Sequence, residues 1–353
     1  MNELVSIVIP NYNYGLYIRQ AIESAVNQSY KNIEIIIIDD CSTDNSVEII
    51  NEYVEKYNNI KLFVNDKNMG VVATHNRCIE LSNGEYITVL SSDDYIHSQF
   101  IEKSIKKLRE YPTAAMVATD LSYVDNDNNV TYPNSFYPNS FFCKGIYQCK
   151  IWMFTNTFVP SQVLFRRKCI EDPEIGGMFS YLADTFIDTE LWFRMCLKYD
   201  FVYLKERLCY YRMHIGSYSK SYENFKSYLQ FYLARRRFAE LSRNIPLLNE
   251  CADEAILRST RMGTRSIRIL IDNEKYELAE QYLHITEGLD PGIRKHPYYE
   301  CVMTICNNKS ADSNEKEMLL QYEISYNDSC KKEENRGKNV SAPYELPECV
   351  ELI

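Results

Sequence analysis

The chain has 353 residues, of which 45% are hydrophobic, enough for a full core and an appended second region. Its formal net charge of −10 argues against a general nucleic-acid-binding protein. The 12 cysteines are scattered without a Cys-x-x-Cys pair, so we expect reduced, mostly buried thiols and no zinc site. No apolar run approaches a membrane span and no signal-peptide pattern follows Met1, which predicts a cytoplasmic protein.

The first part of the chain alternates short apolar runs with helical patterns. Strands are predicted over four runs: Val5–Ile9, Ile33–Ile38, Lys61–Val64 and Tyr86–Leu90. Between them, apolar residues recur at helical spacing after Ile18, after Asp44 or Asn45 as N-cap, and after Gly70. This alternation predicts an α/β fold with a mainly parallel sheet and right-handed crossovers.

Carboxylates follow two of the predicted strands. The pair Asp39–Asp40 comes directly after the second strand, and the run Ser91–Asp94, Ser-Ser-Asp-Asp, comes directly after the fourth. Ligands of open parallel sheets bind outside the carboxyl ends of the strands, where hard cations take carboxylate and phosphate oxygens. Either pair alone could be an ordinary Asp-capped turn, but two pairs on strand ends indicate a functional site.

Four ordered motifs resemble the family 2 glycosyltransferases. They are Val5–Asn13, Asn32–Asp44, Asn68–Gly70 with Asn76, and Gly84–Tyr86 with Ser92–Asp94. The resemblance covers residues 4–220 and implies an inverting, nucleotide-sugar-dependent enzyme of the GT-A fold. It also implies nucleotide-sugar binding in residues 1–110 and acceptor binding and catalysis in residues 111–220, on one shared sheet.

The resemblance implies donor-binding roles for residues after the first two strands. Tyr12, beside Pro10, would stack on the nucleobase, a contact worth roughly 1–3 kcal/mol per base, or would simply anchor its loop. Asp40 resembles the carboxylate that accepts a hydrogen bond from the uracil ring NH, and a helix cap is its alternative role. The resemblance also places His75 and Asn76 in the donor site. Because the family often has arginine where His75 stands, both a base contact and simple packing stay open for His75.

The metal motif departs from the family pattern. The family's Asp-x-Asp aligns with Ser91–Asp93, so the first carboxylate is lost. Asp93 resembles the direct ligand of a Mn²⁺ or Mg²⁺ ion on the donor diphosphate, and Ser92 lies beside it in the donor site. We therefore expect a divalent cofactor that depends more on the phosphates of the nucleotide.

A second motif resembles the family's closing loop. Tyr211–Ser219 matches Tyr-Arg-x-His-x-x-Ser-x-Ser. In that frame His214 reaches the metal or the diphosphate, and Ser217 and Ser219 lie near the phosphates. A lone histidine is more often structural, and the ordered frame is what favours a ligand here.

The catalytic base is implied by a third segment. Ile187–Met195 resembles the family's Glu-Asp helix start, in which the Asp is the base; Ile187 replaces the Glu and Asp188 remains. An acid at a helix N-terminus is also an ordinary cap, worth about 0.5–2 kcal/mol. Under the resemblance Asp188 is the base, and Glu190 points elsewhere on the helix.

The rest of the chain carries less specific sequence motifs. Residues 125–140 are predicted to form a surface loop suited to acceptor choice, and Phe158–Arg167 resembles the strand under the acceptor pocket or a plain hairpin. Residues 221–306 are predicted helical, and residues 307–353 are predicted to be a polar, mobile tail. Lys226–Arg268 carries nine Lys/Arg against four Asp/Glu, which indicates either a solvated face or contact with anionic lipid or acceptor at the inner membrane surface.

These observations predict an inverting transferase that moves one sugar, most simply from a UDP-linked donor, to a hydroxyl of a glycan or lipid-linked glycan in cell-surface polysaccharide biosynthesis. Two alternatives remain. A nucleotidyltransferase would need a Gly-rich basic phosphate loop near the first strand, and none is visible. A donor-binding module without catalysis is suggested by the replacements at Ser91 and Ile187.

Overall fold

The computed structural model describes residues 3–155, 158–180, 186–214, 225–329, 331 and 344–353. The chain folds into two compact units. The first unit combines Met1–Ile215 with Ser341–Ile353, and the second spans Gly216–Val340.

The first unit is built on one mixed sheet. Its described strands are β1 (Val5–Asn11), β2 (Ile33–Asp39), β3 (Ile60–Val64), β4 (Tyr86–Val89), β5 (Tyr95–Ile96), β6 (Ala114–Val124), β7 (Val130–Thr131), β8 (Phe141–Cys143), β9 (Val163–Arg166), β10 (Asp200–Arg212) and β11 (Glu351–Leu352). The main path runs β11-β8-β10-β6-β9-β4-β1-β2-β3, while β5 pairs with β10 and β7 with β6. The longest ladders, β1 with β2 and β6 with β10, are parallel, so the predicted mainly parallel α/β sheet is confirmed.

The sheet is flanked by helices. Those described in the first unit are α1 (Ile18–Val26), α2 (Ser46–Lys56), α3 (Val71–Glu80), α4 (Phe100–Glu110), α5 (Gly145–Trp152), α6 (Arg167–Ile170) and α7 (Ile187–Lys198). Strands β1 and β2 are almost continuously apolar because helices cover both faces of a parallel sheet. Helices α1, α2 and α4 bury one apolar stripe each against the core that these strands share.

A close approach of the backbone sets the start of β4 beside β1. Gly84 donates its N–H to Ser6 Oγ at 2.8 Å. A Cβ at this position would lie 2.4 Å from Ser6 N, so only glycine fits without a shift of the strand. The glycine therefore fixes where β4 begins, and with it where its carboxylate-bearing end projects.

The second unit is helical. Its described helices are α8 (Phe225–Leu241), α9 (Pro246–Arg261), α10 (Gly263–Asp272), α11 (Tyr276–Leu289), α12 (Pro297–Asn308) and α13 (Ser313–Asp328). Helices α10 to α13 share a core in which Ile267, Leu283, Val302 and Leu319 are fully buried. No described helix is long and apolar enough to cross a membrane.

The structure corrects the polar tail predicted for residues 307–353. Helix α13 lies inside it, starts with a capping box of Asp312 and Glu315, and buries Leu319 and Tyr326. The chain end also belongs to the first unit, where β11 pairs antiparallel with β8. The high content of charged residues led to the prediction of a mobile tail. A helix such as α13 nevertheless needs only a narrow apolar stripe to pack.

Several basic side chains in residues 226–268 pair with acidic residues. Arg258 contacts Glu254, Arg268 contacts Glu323, and Arg261 lies 2.9 Å from Asp290. Arg235 is only 4% exposed, with its guanidinium over the ring of Phe238. These contacts are consistent with the alternative of a solvated helical face, and membrane contact stays a prediction.

Candidate active site

The ends of β4 and β10 bring Asp93 and His214 together. His214 Nε2 lies 3.1 Å from Asp93 Oδ2, although the two residues are 121 positions apart. Both side chains are largely buried, His214 at 7% exposure and Asp93 at 17%. A carboxylate and an imidazole in contact at the carboxyl edge of a sheet form a donor set that can hold a divalent cation.

The turn after β4 is held by the neighbouring carboxylate. Asp94 Oδ2 accepts from Ser161 Oγ at 2.7 Å, and Asp94 Oδ1 accepts from the Arg212 N–H at 3.0 Å. Ser161 Oγ also accepts from Ser91 N at 3.1 Å. Burial and the adjacent charge of Asp93 raise the pKa of Asp94 well above its usual value. Asp94 is therefore a tether that leaves Asp93 as the outward carboxylate.

A buried arginine that the sequence motifs did not predict lies at this edge. Arg212 donates to the carbonyl oxygens of Asp93 at 3.0 Å and Asp125 at 2.7 Å, and to Asn128 Oδ1 at 3.0 Å. Its guanidinium lies 5.0 Å from the centre of the Tyr17 ring. The arginine of the Tyr-Arg-x-His motif, at the end of β10, was the available signal. It joins the Asp93 turn to the loop after β6.

Aromatic rings enclose His214. Its ring centre is 5.0 Å from that of Tyr17 and 5.9 Å from that of Tyr14, the latter edge-on. Burial, followed by the charges of Asp93 and Asp94, raises the pKa of the Tyr14 hydroxyl. Tyr14 is therefore neutral and can donate a hydrogen bond at this edge.

The predicted nucleotide-binding residues lie at the ends of β1 and β2. Pro10 is half-buried within β1, and the Tyr12 side chain just beyond it is 43% exposed, so its ring face is accessible. Asp39 is a structural carboxylate, since it accepts from Asn11 Nδ2 at 2.7 Å and from Ser42 Oγ at 2.6 Å. This network fixes the loop that carries Tyr12 against the loop that carries Asp40.

Asp40 tethers the start of α3. Its Oδ1 accepts from Asn65 Nδ2 at 2.5 Å and from Met69 N at 2.8 Å, and its Oδ2 accepts from Gly70 N at 2.9 Å. Gly70 has φ of 85°, a left-handed conformation that favours glycine. A carboxylate has about four lone-pair sites, so Oδ2 keeps acceptor capacity for a ligand.

His75 and Asn76 both contact one distant residue. The His75 ring packs edge-on against Phe179 with ring centres 5.4 Å apart, and burial lowers its pKa to about 4. Asn76 Nδ2 donates to Phe179 O and Asn76 Oδ1 accepts from Phe179 N, each at 3.0 Å. His75 thus has a packing contact, and both amide atoms of Asn76 are bonded to Phe179.

Asp188 lies in the first turn of α7. Its Oδ1 accepts from Thr189 N at 2.7 Å, and burial raises its pKa to about 6. Trp192, one turn later on the same face, donates its Nε1–H to Phe158 O at 3.1 Å. Phe158 leads into the 3-10 helix Pro160–Gln162, which contacts the Asp93 turn through Ser161. Helix α7 is thereby anchored near the turn that carries Asp93.

Glu190 is excluded from solvent by an ion pair. It is 2% exposed, and its Oε2 lies 2.8 Å from Arg194 Nε. The sequence-based expectation that Glu190 points away from Asp188 is consistent with this pair. Glu190 therefore has a structural role in α7.

The other predicted site residues have different outcomes. Ser92 is buried at 4% exposure in the turn beside Asp93. Ser217 and Ser219 lie outside the described residues. Within the part of the chain that the structure describes, no group of three or more His, Cys, Asp or Glu side chains could hold a metal ion. A cation at Asp93 and His214 would therefore need further ligands from a bound substrate or water.

The chain is similar in sequence to known glycosyltransferases. Residues 6–172 match the family model described as glycosyl transferase family 2. An uncharacterized glycosyltransferase of Haemophilus influenzae is 48% identical over 29% of this chain, and glycosyltransferase GlyG of Streptococcus pneumoniae is 35% identical over 36%. The matched regions span 41% and 43% of those relatives, so the chain covers less than half of their length.

A solved structure resembles the whole chain in fold. S. aureus TarS 1–349 superposes with a TM-score of 0.61 and 19% identity, covering 91% of this chain and 90% of that one. At this level of identity the likeness shows the fold alone, a GT-A-like sheet followed by a helical region. Residues 6–172 are therefore similar to glycosyl transferase family 2, and the chain shares the fold of S. aureus TarS.

Proposed function

We propose that the chain is an inverting glycosyltransferase that moves one sugar from a nucleotide-sugar donor to a hydroxyl of a glycan or lipid-linked glycan. The observation that carries this proposal is the 3.1 Å contact of Asp93 with His214 at the carboxyl edge of a family 2 domain. S. aureus TarS has been solved in complex with UDP-GlcNAc and with UDP, which supports a UDP-linked donor. A chondroitin synthase of Escherichia coli, 35% identical over 36% of the chain, supports a glycan acceptor.

The donor nucleotide would bind at the ends of β1 and β2. The exposed ring of Tyr12 offers a stacking face for the base. Asp40, whose Oδ2 accepts one hydrogen bond from Gly70, can accept a second from the ring NH of uracil. Because Asp40 also holds the start of α3, base binding and the position of that helix are linked.

A divalent cation fits the residues present. Asp93 offers a carboxylate oxygen and His214 an imidazole nitrogen, a mixed donor set that suits Mn²⁺. Mannosyltransferase PcManGT from Pyrobaculum calidifontis, which shares the fold at a TM-score of 0.50, was solved with GDP-Man and Mn²⁺. A bound cation would offset the negative charge of the departing diphosphate. Ser91 supplies no carboxylate, so phosphate oxygens would complete the coordination.

Asp188 would take the proton of the acceptor hydroxyl. Inversion needs a base on the face of the sugar opposite the leaving diphosphate, within hydrogen-bond reach of the attacking oxygen. A pKa of about 6 keeps Asp188 ionised at neutral pH and makes it a stronger base than an ordinary carboxylate. The loop between β6 and β8 remains our proposed site of acceptor choice.

The test is a panel of UDP- and GDP-sugars with Mn²⁺, read by thermal stabilisation and by release of the nucleoside diphosphate. A donor at 100 times its dissociation constant should stabilise the protein by about 2.7 kcal/mol. The proposal expects both stabilisation and diphosphate release for one nucleotide. Stabilisation without any turnover would indicate a binding module instead. In a parallel assay with a nucleoside triphosphate and a sugar 1-phosphate, release of pyrophosphate would indicate a nucleotidyltransferase.

A further inference from the structure

The side-chain amide of Asn76 forms a two-bond clamp on a single residue. Its Nδ2 donates to Phe179 O and its Oδ1 accepts from Phe179 N, both at 3.0 Å, across 103 residues of sequence. Asn76 is half-buried on α3, so the clamp is shielded in part from water. Paired hydrogen bonds of this kind fix the orientation of both partners, as the ladder bonds of two strands do.

The clamped residue lies between two helices. The Phe179 side chain is 3% exposed and packs edge-on against the His75 ring of α3. On its other side it meets the Trp192 ring of α7, with ring centres 6.5 Å apart. Phe179 therefore joins α3, which is the helix beside the proposed donor site, to α7, which carries Asp188 in its first turn.

Helix α7 holds the residues just before Phe179. Arg194 donates to the carbonyl oxygens of Ile175, of Gly177 at 2.8 Å and of Met178 at 2.6 Å, while Glu190 orients its guanidinium. Ile175 is buried, so the segment is also packed at its start. Segment Ile175–Phe179 is thus bonded to α7 through Arg194 and to α3 through Asn76.

We infer that Asn76 is a positioning residue for α7: its clamp on Phe179 fixes the helix whose first turn carries Asp188. This inference rests on the proposed function, in which Asp188 is the general base. It changes the role expected for Asn76 from donor contact to alignment of the base. Trp192 and Asp188 are one helical turn apart on the same face, so a displacement of Phe179 is felt at the base.

Asn76→Asp tests the inference because it keeps the side-chain shape and replaces the donor to Phe179 O with a carboxylate oxygen. The introduced carboxylate would still accept from Phe179 N but would repel Phe179 O. We expect kcat to fall about 10–100-fold, since a shift of about 1 Å at a reacting group can cost that much. The dissociation constant for UDP should be unchanged. Asn58→Asp, the same chemical change at an exposed turn residue, is the matched control and should alter neither quantity.

A double variant separates positioning from other roles. If Asn76 acts through Asp188, Asn76→Asp combined with Asp188→Asn should lose no more turnover than Asp188→Asn alone. Independent, multiplying losses would overturn the inference. Weaker UDP binding by Asn76→Asp would return the residue to the donor site. A reduced folded fraction with normal kcat per folded molecule would leave only a structural role, and would also overturn it.

The same series distinguishes this inference from the proposed function. Normal turnover of Asn76→Asp beside impaired Asp188→Asn rejects only the positioning role. Normal turnover of Asp188→Asn contradicts the base assignment, and the inference falls with it. The pH dependence of kcat gives a further readout, because a displaced base loses its contribution to the acidic limb of the profile.

Discussion

Asp188 is a carboxylate whose surroundings oppose its ionisation. Burial raises its pKa to about 6, against about 3.9 for an aspartate in an unfolded chain. Between these two pH values the folded protein binds more protons at this site than the unfolded chain does. Its contribution to stability is therefore full below about pH 4 and is lost as pH rises through about 6. At neutral pH the ionised Asp188 destabilises the fold.

Asp188→Asn should therefore raise stability and lower activity. At pH 7 we expect the free energy of unfolding to rise by about 1–3 kcal/mol, with little change at pH 4, as measured by urea unfolding. Turnover should fall about 10²–10⁴-fold, the typical contribution of a general base, with UDP affinity nearly unchanged. Glu190→Gln is the control. It breaks a buried ion pair, so it should lower the free energy of unfolding, and its loss of turnover should be smaller than that of Asp188→Asn. A larger loss of turnover in that control would move the base to Glu190.

The pH profile of the wild-type chain gives a second prediction. Since the base must be ionised, kcat should rise with pH through a midpoint near 6, because burial raises the pKa of Asp188 to about 6. Binding of acceptor and donor can move this midpoint, and kcat/KM reports the free enzyme. If kcat stays constant between about pH 5 and about pH 8, no carboxylate with a pKa of about 6 limits the reaction.

Tyr12 is predicted to stack on the nucleobase. Tyr12→Ala should lower UDP affinity by about 1–3 kcal/mol of binding free energy, without loss of fold, because the side chain is 43% exposed. Titration calorimetry with UDP measures this directly. Tyr132→Ala removes an even more exposed tyrosine, at 71%, and serves as the matched control. Equal affinities for the wild type and Tyr12→Ala would leave Tyr12 as a loop anchor.

At the scale of elements, strands and helices with strong periodicity were predictable. Strands β1 and β2 carry apolar residues at nearly every position, and α4 repeats them at helical spacing, so local sequence is sufficient. Helix α13 was not predicted, because its apolar positions are separated by Lys, Glu and Gln and its packing partners are distant in sequence. Contacts with residues distant in sequence stabilise this helix in spite of its polar composition, and a local sequence pattern does not contain those contacts.

Two adjacent leucines test the packing of α13. Leu319 is fully buried in the core of the helical unit, whereas Leu320 is 39% exposed. Leu319→Ala should cost about 2–5 kcal/mol, and Leu320→Ala about 0.5 kcal/mol or less. Hydrogen exchange of the α13 amides reports the loss locally. Equal effects of the two substitutions would contradict the position of this helix in the core.

At the scale of the whole molecule, the sequence motifs located the site but not its connections. Strand ends that carry Asp39–Asp40 and Asp93–Asp94 were visible because parallel strands present their carboxyl ends at one edge. The Asn76–Phe179 clamp and the Asp93–His214 pair span 103 and 121 residues. The resemblance already implied that Asp93 and His214 share one cation. The residue types of the Asn76–Phe179 clamp are common, so that contact emerges only when the sheet is assembled.

The net charge of residues 226–268 follows from the sequence, but the pairing of their basic side chains does not. The stretch over residues 226–268 has a surplus of Lys and Arg, but several of these arginines pair with acids. Arg261 pairs with Asp290, which lies outside that stretch, so a count within it overstates the free charge. Contact with an anionic surface therefore stays a prediction, and binding to vesicles that contain anionic lipid would measure it.

Transfer from a nucleotide sugar with and without a metal chelator is the decisive measurement for the proposed enzyme. If Asp93 and His214 hold a cation on the donor diphosphate, chelation should abolish release of the nucleoside diphosphate, and added Mn²⁺ or Mg²⁺ should restore it. Asp93→Asn should raise the Mn²⁺ concentration needed for half-maximal turnover. Full transfer in chelator, by the wild type and by Asp93→Asn alike, would contradict the metal site at Asp93 and His214.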